Sequence, residues 1–255
     1  MKMKLLYDTK LMFVRNMQHT LKSPVFVFVS MFQPLMYLLL FMPLLNALGG
    51  LPGLPTGKTV DVFIPGLLVL QALFGTAFVG FSLIDDIRTG VIERFLVTPV
   101  KRPAILLGRV LRDALVLLLQ CVLITLVALP FGLKVNVYGF LLSLLLYALI
   151  GITMASISYG FALIYKIEDP LAPTLNTITL PLSLLSGIIL PLALAPVWLQ
   201  DLSKINPFSY TVNGARALFA GNFHNIGIPE GFLVIGVLAA LVFLWANRSL
   251  NKMAA

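Results

Sequence analysis

Five stretches of this chain run for the thickness of a bilayer without one charged side chain: Pro24 to Leu45, Val62 to Ile84, Ala114 to Leu133, Val137 to Tyr165 and Leu171 to Leu190. A sixth, Phe232 to Asn247, is slightly short. A helix needs about 17 to 25 apolar residues to cross hydrocarbon. Lipid offers no partners to backbone N–H and C=O groups, so open sheets and irregular chain are excluded, and runs this long are helices rather than barrel strands. The whole composition agrees, since 11% of the 255 residues are charged where a soluble domain has about 25%. The expected fold is an all-α polytopic membrane protein with six transmembrane helices.

Basic residues orient these spans. With the N-terminus inside, the cytoplasmic segments hold Lys2, Lys4, Lys10, Arg15, Lys22, Arg88, Arg94, Lys101, Arg102, Arg109, Arg112, Lys166, Arg248 and Lys252, leaving Lys58, Lys134, Lys204 and Arg216 outside. That asymmetry predicts both termini in the cytoplasm by the positive-inside rule. The net charge of +8 is then explained by orientation and contact with acidic membrane lipids, and needs no nucleic acid. The lone cysteine, Cys121, lies in the third run, so no intrachain disulfide forms. Ala47-Leu48-Gly49 has the look of a signal-peptidase site, but the apolar run before it exceeds the usual 7 to 15 residues, and an uncleaved span is expected.

Between the spans, three segments have patterns of their own. In residues 1–22, Met3, Leu6, Phe13, Val14, Met17 and Leu21 fall on one helical face and Lys4, Asp8, Arg15, His19 and Lys22 on the opposite one, with Lys10 as the exception. This predicts an amphipathic interfacial helix on the inner membrane surface. The loop Asp85 to Asp113 is far longer than two neighbouring helices require. Within it Thr89 is a candidate N-cap, Glu93 suits a helix N-terminus and Pro99 stops the helix, which predicts a short cytoplasmic helix over roughly Gly90 to Val97. Its Val91, Ile92, Phe95 and Leu96 stand among charges and call for a partner. The outer segment Pro191 to Gly231 is too apolar for a free loop. It predicts a helix opened by Pro196 in which Trp198, Leu202 and Ile205 share a face, and a second from about Phe208 to Ala220, the pair dipping into the outer leaflet with Trp198 and Tyr210 at headgroup level.

Chemical motifs are mostly decoys. Gly57-Lys58-Thr59 ends like a phosphate-binding loop, but Gly53 is one residue out of register, Pro52 has no N–H to offer, and apolar runs flank the segment on both sides. Leu185-Ser186-Gly187 begins like the LSGGQ signature of nucleotide sandwiches, yet Ile188 and Ile189 follow. His19 and His224 fall on opposite sides of the membrane, which excludes a metal pair. The apolar runs themselves carry no charged side chain, which argues against an intramembrane enzyme or an ion-coupled carrier. Small residues repeat at four, as Ala72, Thr76 and Gly80 and as Gly151 and Ala155, permitting close helix approach. Gln33, Gln71, Asn176, Thr177, Thr179 and Ser183 either bond across helices or line a path for an amphipathic cargo.

Six spans, a leading interfacial helix, GVIERFLVTPVKRPAILLGRVL after the second span and LPLALAPVWLQDLSKINPFSYTVNGARALFAG before the sixth together resemble the membrane subunit of type 2 ABC exporters, the ABC-2 permeases. The likeness is greatest to the daunorubicin-resistance-like drug exporter permeases. Its most specific parts are Gly90, Glu93, Arg94 and Leu96 followed by Thr98-Pro99, and then Asn206-Pro207 with Arg216. The resemblance implies one transmembrane domain over residues 1–255: interfacial helix 1–22, spans one to five within 24–190, coupling loop 85–113, re-entrant helices 191–231 and sixth span 232–247.

It further implies a homodimer, or a heterodimer with a similar permease. Each subunit would dock a separate ATPase, two copies in all, that itself binds ATP and Mg. The permease would hold no cofactor and catalyse nothing by itself. On this likeness Gly90, Val91, Ile92, Glu93, Arg94, Phe95, Leu96, Thr98 and Pro99 form the ATPase-coupling element. Gln33, Tyr37, Asn176, Thr177, Thr179 and Ser183 lie on the transport path, and Trp198, Asn206, Pro207 and Arg216 at an outer gate. The implied activity is export of an amphipathic or hydrophobic molecule, drug-like or lipid, from a prokaryotic cytoplasmic membrane by alternating access. A polysaccharide or glycolipid exporter, or a non-transporting membrane scaffold, is the alternative.

Overall fold

A computed structural model describes residues 2–22, 29–40, 59–188 and 195–253. Among them the regular structure is helical throughout. Helix α1 spans Lys2–Lys22, α2 Val29–Leu40, α3 Thr59–Ala77, α4 Gly80–Arg88, α5 Val91–Leu96, α6 Arg102–Ala128, α7 Val137–Tyr165, α8 Leu171–Leu184, α9 Val197–Ser203, α10 Pro207–Phe219 and α11 Gly227–Met253. Among the described residues four stretches are long and apolar enough to cross a bilayer: Val60–Arg88, Arg102–Phe131, Val137–Tyr165 and Gly227–Met253. The described parts of the first and fifth expected spans, α2 and α8, are shorter apolar helices. The segment Leu51 to Lys58, the chain around Pro24 and the far end of the fifth run lie outside the described residues.

Helix α7 is the axle. It packs against α11, α3, α6, α4 and α10. Small residues set those approaches. A side chain at Gly80 would strike Ser158 at 2.7 Å, and one at Gly160 would overlap the Trp245 ring on α11. Trp245 also meets Phe161 edge-on, with ring centroids 5.4 Å apart. The polypeptide breaks between α3 and α4 at Phe78 and Val79, and the amide of Gly80 donates to Ser158 Oγ at 2.8 Å. A side chain of α7 thus repairs the gap in the helical ladder, the usual remedy for a kink inside a bundle.

Two cores result. One joins α2, α3, α6, α7 and α10, and holds Leu38, Leu68, Cys121, Tyr147 and Phe208. The other lies toward α5, and holds Leu83, Ile84, Ile92, Ile105, Tyr159, Leu171 and Leu250. The stripe Leu233, Val237, Leu241 and Leu244 on α11 stays exposed, as do Leu115, Leu119, Leu123 and Leu126 on α6. Apolar stripes of this length belong against lipid.

The helices outrun the apolar runs that announce them. Charges mark the third span's start at Ala114 in the sequence, but α6 begins twelve residues earlier, and Arg109, Arg112 and Asp113 are part of its continuous ladder. The expected long loop of 85–113 therefore shrinks to Thr89-Gly90 and Val97 to Lys101, on either side of α5. Arg109 is accommodated by Asp86 on α4, Arg112 by its neighbour Asp113, and Asp113 also by Tyr159 on α7.

Candidate functional site

Ionic contacts gather at the end of the bundle where α1, α4, α5 and α6 meet. Arg109 on α6 is buried and pairs with Asp86 on α4. One turn on, Arg112 stands 3.1 Å from Asp113, and the buried Asp113 carboxylate accepts the hydroxyl proton of Tyr159 on α7. Helix α1 is fastened to the same corner. Its Asp8 accepts a bond from the amide of Lys101 at 3.1 Å, Thr20 Oγ1 accepts from Arg112 at 3.1 Å, and Arg15 lies 4.6 Å above the ring of Phe95 on α5. A Cβ on Gly108 would collide with Met12 at 2.5 Å, so α1 and α6 approach to backbone distance.

Helix α1 therefore has three faces rather than the two its sequence pattern separates. Asp8, Thr9, Met12 and Asn16 are buried against the bundle, Leu6, Leu11, Val14 and Leu21 are exposed, and Arg15, His19 and Lys22 form a basic edge. An exposed apolar face beside a basic edge suits a membrane surface.

Helix α5 begins at Gly90, whose φ of 70° is the left-handed conformation that glycine alone adopts freely. Thr89 does not cap it. Its hydroxyl donates backward to Asp85 O at 2.9 Å, closing α4 instead. The expectation that the apolar residues of α5 lack an intramolecular partner also fails. Ile92 is fully buried in the second core, and Phe95 and Leu96 pack against the same cluster. What α5 shows to solvent is Glu93 and Arg94, followed by Val97, Thr98 and Pro99. Val97 is 87% exposed, the most exposed large apolar side chain among the described residues.

A second polar set threads the middle of the bundle. Gln71 on α3 donates to Gln120 on α6 at 2.8 Å, and Gln120 donates onward to Ser30 on α2 at 2.7 Å. The path candidates nearby do not share one environment. Gln33 and Thr177 are exposed, Tyr37 and Asn176 half-buried, and Thr179 and Ser183 buried. Thr177 and Ser183 return their hydroxyls to the backbone of α8, whereas Thr179 Oγ1 is buried without a hydrogen-bond partner. Pro181 inside α8 removes one ladder donor next to this point.

At the opposite end Asn206 starts α10, its Oδ1 accepting from Phe208 N at 3.0 Å while its Nδ2 donates to Leu182 O at 2.7 Å. Pro207 follows at the first helical position. Arg216 then reaches across to the backbone, donating to Gly187 O at 2.8 Å, Ile188 O at 3.2 Å and Val62 O at 3.3 Å. Three elements are clamped by one side chain. Trp198 and Leu202 are exposed on α9, whereas Ile205, expected on the same helical face, falls in the turn after it and is also exposed.

Arg109, Arg112, Asp113, Tyr159, Gln120 and the Arg15 contact escape a reading of the sequence, because each depends on a partner at least 23 residues away, Arg112's local Asp113 contact excepted. Gln71 is the one member of these sets that hydropathy singles out.

The family model described as ABC-2 type transporter matches residues 7–220. The chain is 27% identical over 232 residues to the daunorubicin resistance ABC transporter permease protein DrrB1 of Streptomyces coeruleorubidus, covering 89% of this chain and 79% of that protein. It is 28% identical over 252 residues to the putative transport permease ycf38 of Pyropia yezoensis, covering 93% and 84%. With the inner membrane transport permease YadH of Escherichia coli K12 it shares 27% over 191 residues, 73% of each chain.

Proposed function

Since the chain belongs to the ABC-2 type transporter family, we propose that it is the membrane subunit of an ATP-driven exporter that moves an amphipathic or hydrophobic molecule out of the cytoplasm or the inner leaflet. The observation that carries the energy-coupling part is the disposition of α5. Its apolar root, Ile92, is anchored in the bundle, and its charged and uncovered residues, Glu93, Arg94, Val97, Thr98 and Pro99, point away from it. A short helix fixed on one side and presented on the other is a lever for a soluble partner. That partner is a separate ABC ATPase, which binds ATP and Mg.

The basic end is cytoplasmic in this reading, with α1 along the inner surface. The spans are α2, α3 with α4, α6, α7, α8 and α11, six in all, and α9 and α10 dip into the outer leaflet. Two permeases pair through the first and fifth spans, so that Gln33, Tyr37, Asn176, Thr177, Thr179 and Ser183 face the path. The exposed Gln33 and Thr177 and the unpartnered hydroxyl of Thr179 support that placement. Asn206, Pro207 and Arg216 hold the outer gate beside Trp198. ATP binding draws the ATPases together, α5 and the α1 bound to it through Arg15 and Phe95 carry the movement inward, and the interface opens to the outside or to lipid.

Glu93→Lys with Arg94→Glu tests this directly. Both side chains are exposed, so membrane level and thermal stability should stay within about 0.5 kcal/mol of the parent. Co-purification of the ATPase and export should be lost, because reversing charges at a contact rejects the partner outright. Normal export with the ATPase bound would make α5 a plain connector.

A further inference from the structure

Between α1 and the α4–α6 pair lies a cleft of about 270 Å³ that the export mechanism leaves unused. Its α1 wall carries Arg15, His19 and Lys22, spaced four and three residues apart on one face, and its far wall carries Arg109 and Arg112. The acids present are Asp85 at the exposed mouth and Asp86, which is paired to Arg109, with Asp113 behind Arg112. Arg15 gives its guanidinium face to Phe95, and no acid stands against Lys22 in an ion pair among the described residues. Arg112 has one nitrogen on Thr20, while its Nε is buried and makes no hydrogen bond although it lies near Asp113. The cleft thus has a positive balance, with the Nε of Arg112 turned to Asp113 behind it.

We propose that this cleft binds the phosphate headgroup of an anionic phospholipid. Three observations select a lipid over a soluble anion. The exposed Leu11, Val14 and Leu21 on α1 lie on the same helix as the basic edge, so acyl chains and headgroup have adjoining berths. The volume suits a headgroup and is below the roughly 300 to 1,000 Å³ of pockets that enclose a whole small molecule. Basic pockets between helices at a membrane surface are the ordinary setting for such headgroups, each cation adding about fivefold in affinity. A headgroup there touches Arg15, and through it the Phe95 contact, so bound lipid stabilises the junction of α1 with α5. The site rests on α1 lying at a membrane surface and not on what is exported.

The test uses the full chain purified in non-ionic detergent and native mass spectrometry with phosphatidylglycerol or phosphatidylcholine added. One phosphatidylglycerol should be retained in clear preference to phosphatidylcholine. Arg15→Gln with Lys22→Gln, both at exposed positions, should lower that preference roughly twenty- to thirtyfold. Lys166→Gln with Lys252→Gln removes the same charge from a separate basic cleft between α7 and α11 and should leave the adduct in place. Equal loss in both double variants would reduce the effect to overall charge and overturn the site. Equally tight binding of glycerol phosphate would make it a soluble-anion site and overturn the lipid assignment. Since detergent micelles have no sidedness, failure here is separable from an error in the proposed topology.

Discussion

The two ends of the bundle solve the same problem, a guanidinium drawn in among helices, in opposite ways. Near α5, Arg109 and Arg112 meet carboxylates, Asp86 and Asp113, and the second carboxylate is held by a tyrosine hydroxyl. At the far end Arg216 has no carboxylate partner among the described residues and spends its donors on the carbonyls of Val62, Gly187 and Ile188. Side-chain pairs can separate and re-form as helices slide, whereas carbonyls move only with the backbone that carries them. The first arrangement allows α4 and α6 to shift and be recaptured. The second fixes α10 to α3 and to the turn after α8 as one block.

The comparison breaks most visibly at Asp86. Removing one partner of a buried pair costs about 3 to 5 kcal/mol, so Asp86→Ala should lower the thermal midpoint sharply by leaving Arg109 an uncompensated charge. Asp86→Leu with Arg109→Met should recover most of that loss, since apolar replacement of both partners is often neutral. If export remains poor after stability returns, the pair serves movement rather than folding. Thermal melts and export measured on the same preparations decide it.

Arg216→Met should come next, at about 3 kcal/mol. It deprives buried carbonyls of a charged donor, and each bond of this kind is worth about 1.5 to 3 kcal/mol. No second-site change of a single side chain should rescue it, because its partners are backbone. Rescue by a nearby substitution would erase the proposed contrast between the ends. Smallest of the three, Phe95→Leu should cost about 0.5 to 1 kcal/mol by losing the stacked Arg15 cation while keeping apolar packing. Faster hydrogen exchange should then appear in α1 near Arg15 and not in α10.

The contrast also explains which parts could be read in the sequence. Helices α1, α5, α9 and α10 are legible because each carries local marks within one or two turns: an amphipathic period, Gly90 before and Pro99 after, Pro196, and Asn206-Pro207. The apolar lengths of α3, α6, α7 and α11 are equally plain. The starts of α6 and α11 are not, because a charge in the sequence reads as the end of a span; α11 runs on past the exposed Glu230, and on α6 Arg109 and Asp113 find Asp86 and Tyr159 on other helices. Helix α5 misleads for the same reason. Four apolar residues among charges imply an external partner, yet Ile92 belongs to a core built from α4, α6, α7, α8 and α11, which no local pattern contains. The family likeness placed a transport subunit correctly, and left the ionic corner and the Gln71–Gln120–Ser30 thread unnoticed.

The bare Cα of Gly160, which lets the ring of Trp245 lie against α7, gives the protein an internal optical gauge. The chain has two tryptophans, and the other, Trp198, is 67% exposed on α9 at the opposite end. One indole, 37% exposed, lies edge-on to Phe161 against α7, and the other projects from α9. Their emission differs in environment without any added dye. A spectral change that survives replacement of Trp198 by Phe reports the contact of α11 with α7, and one that disappears with it reports α9, so the two regions can be followed separately in one unlabelled molecule.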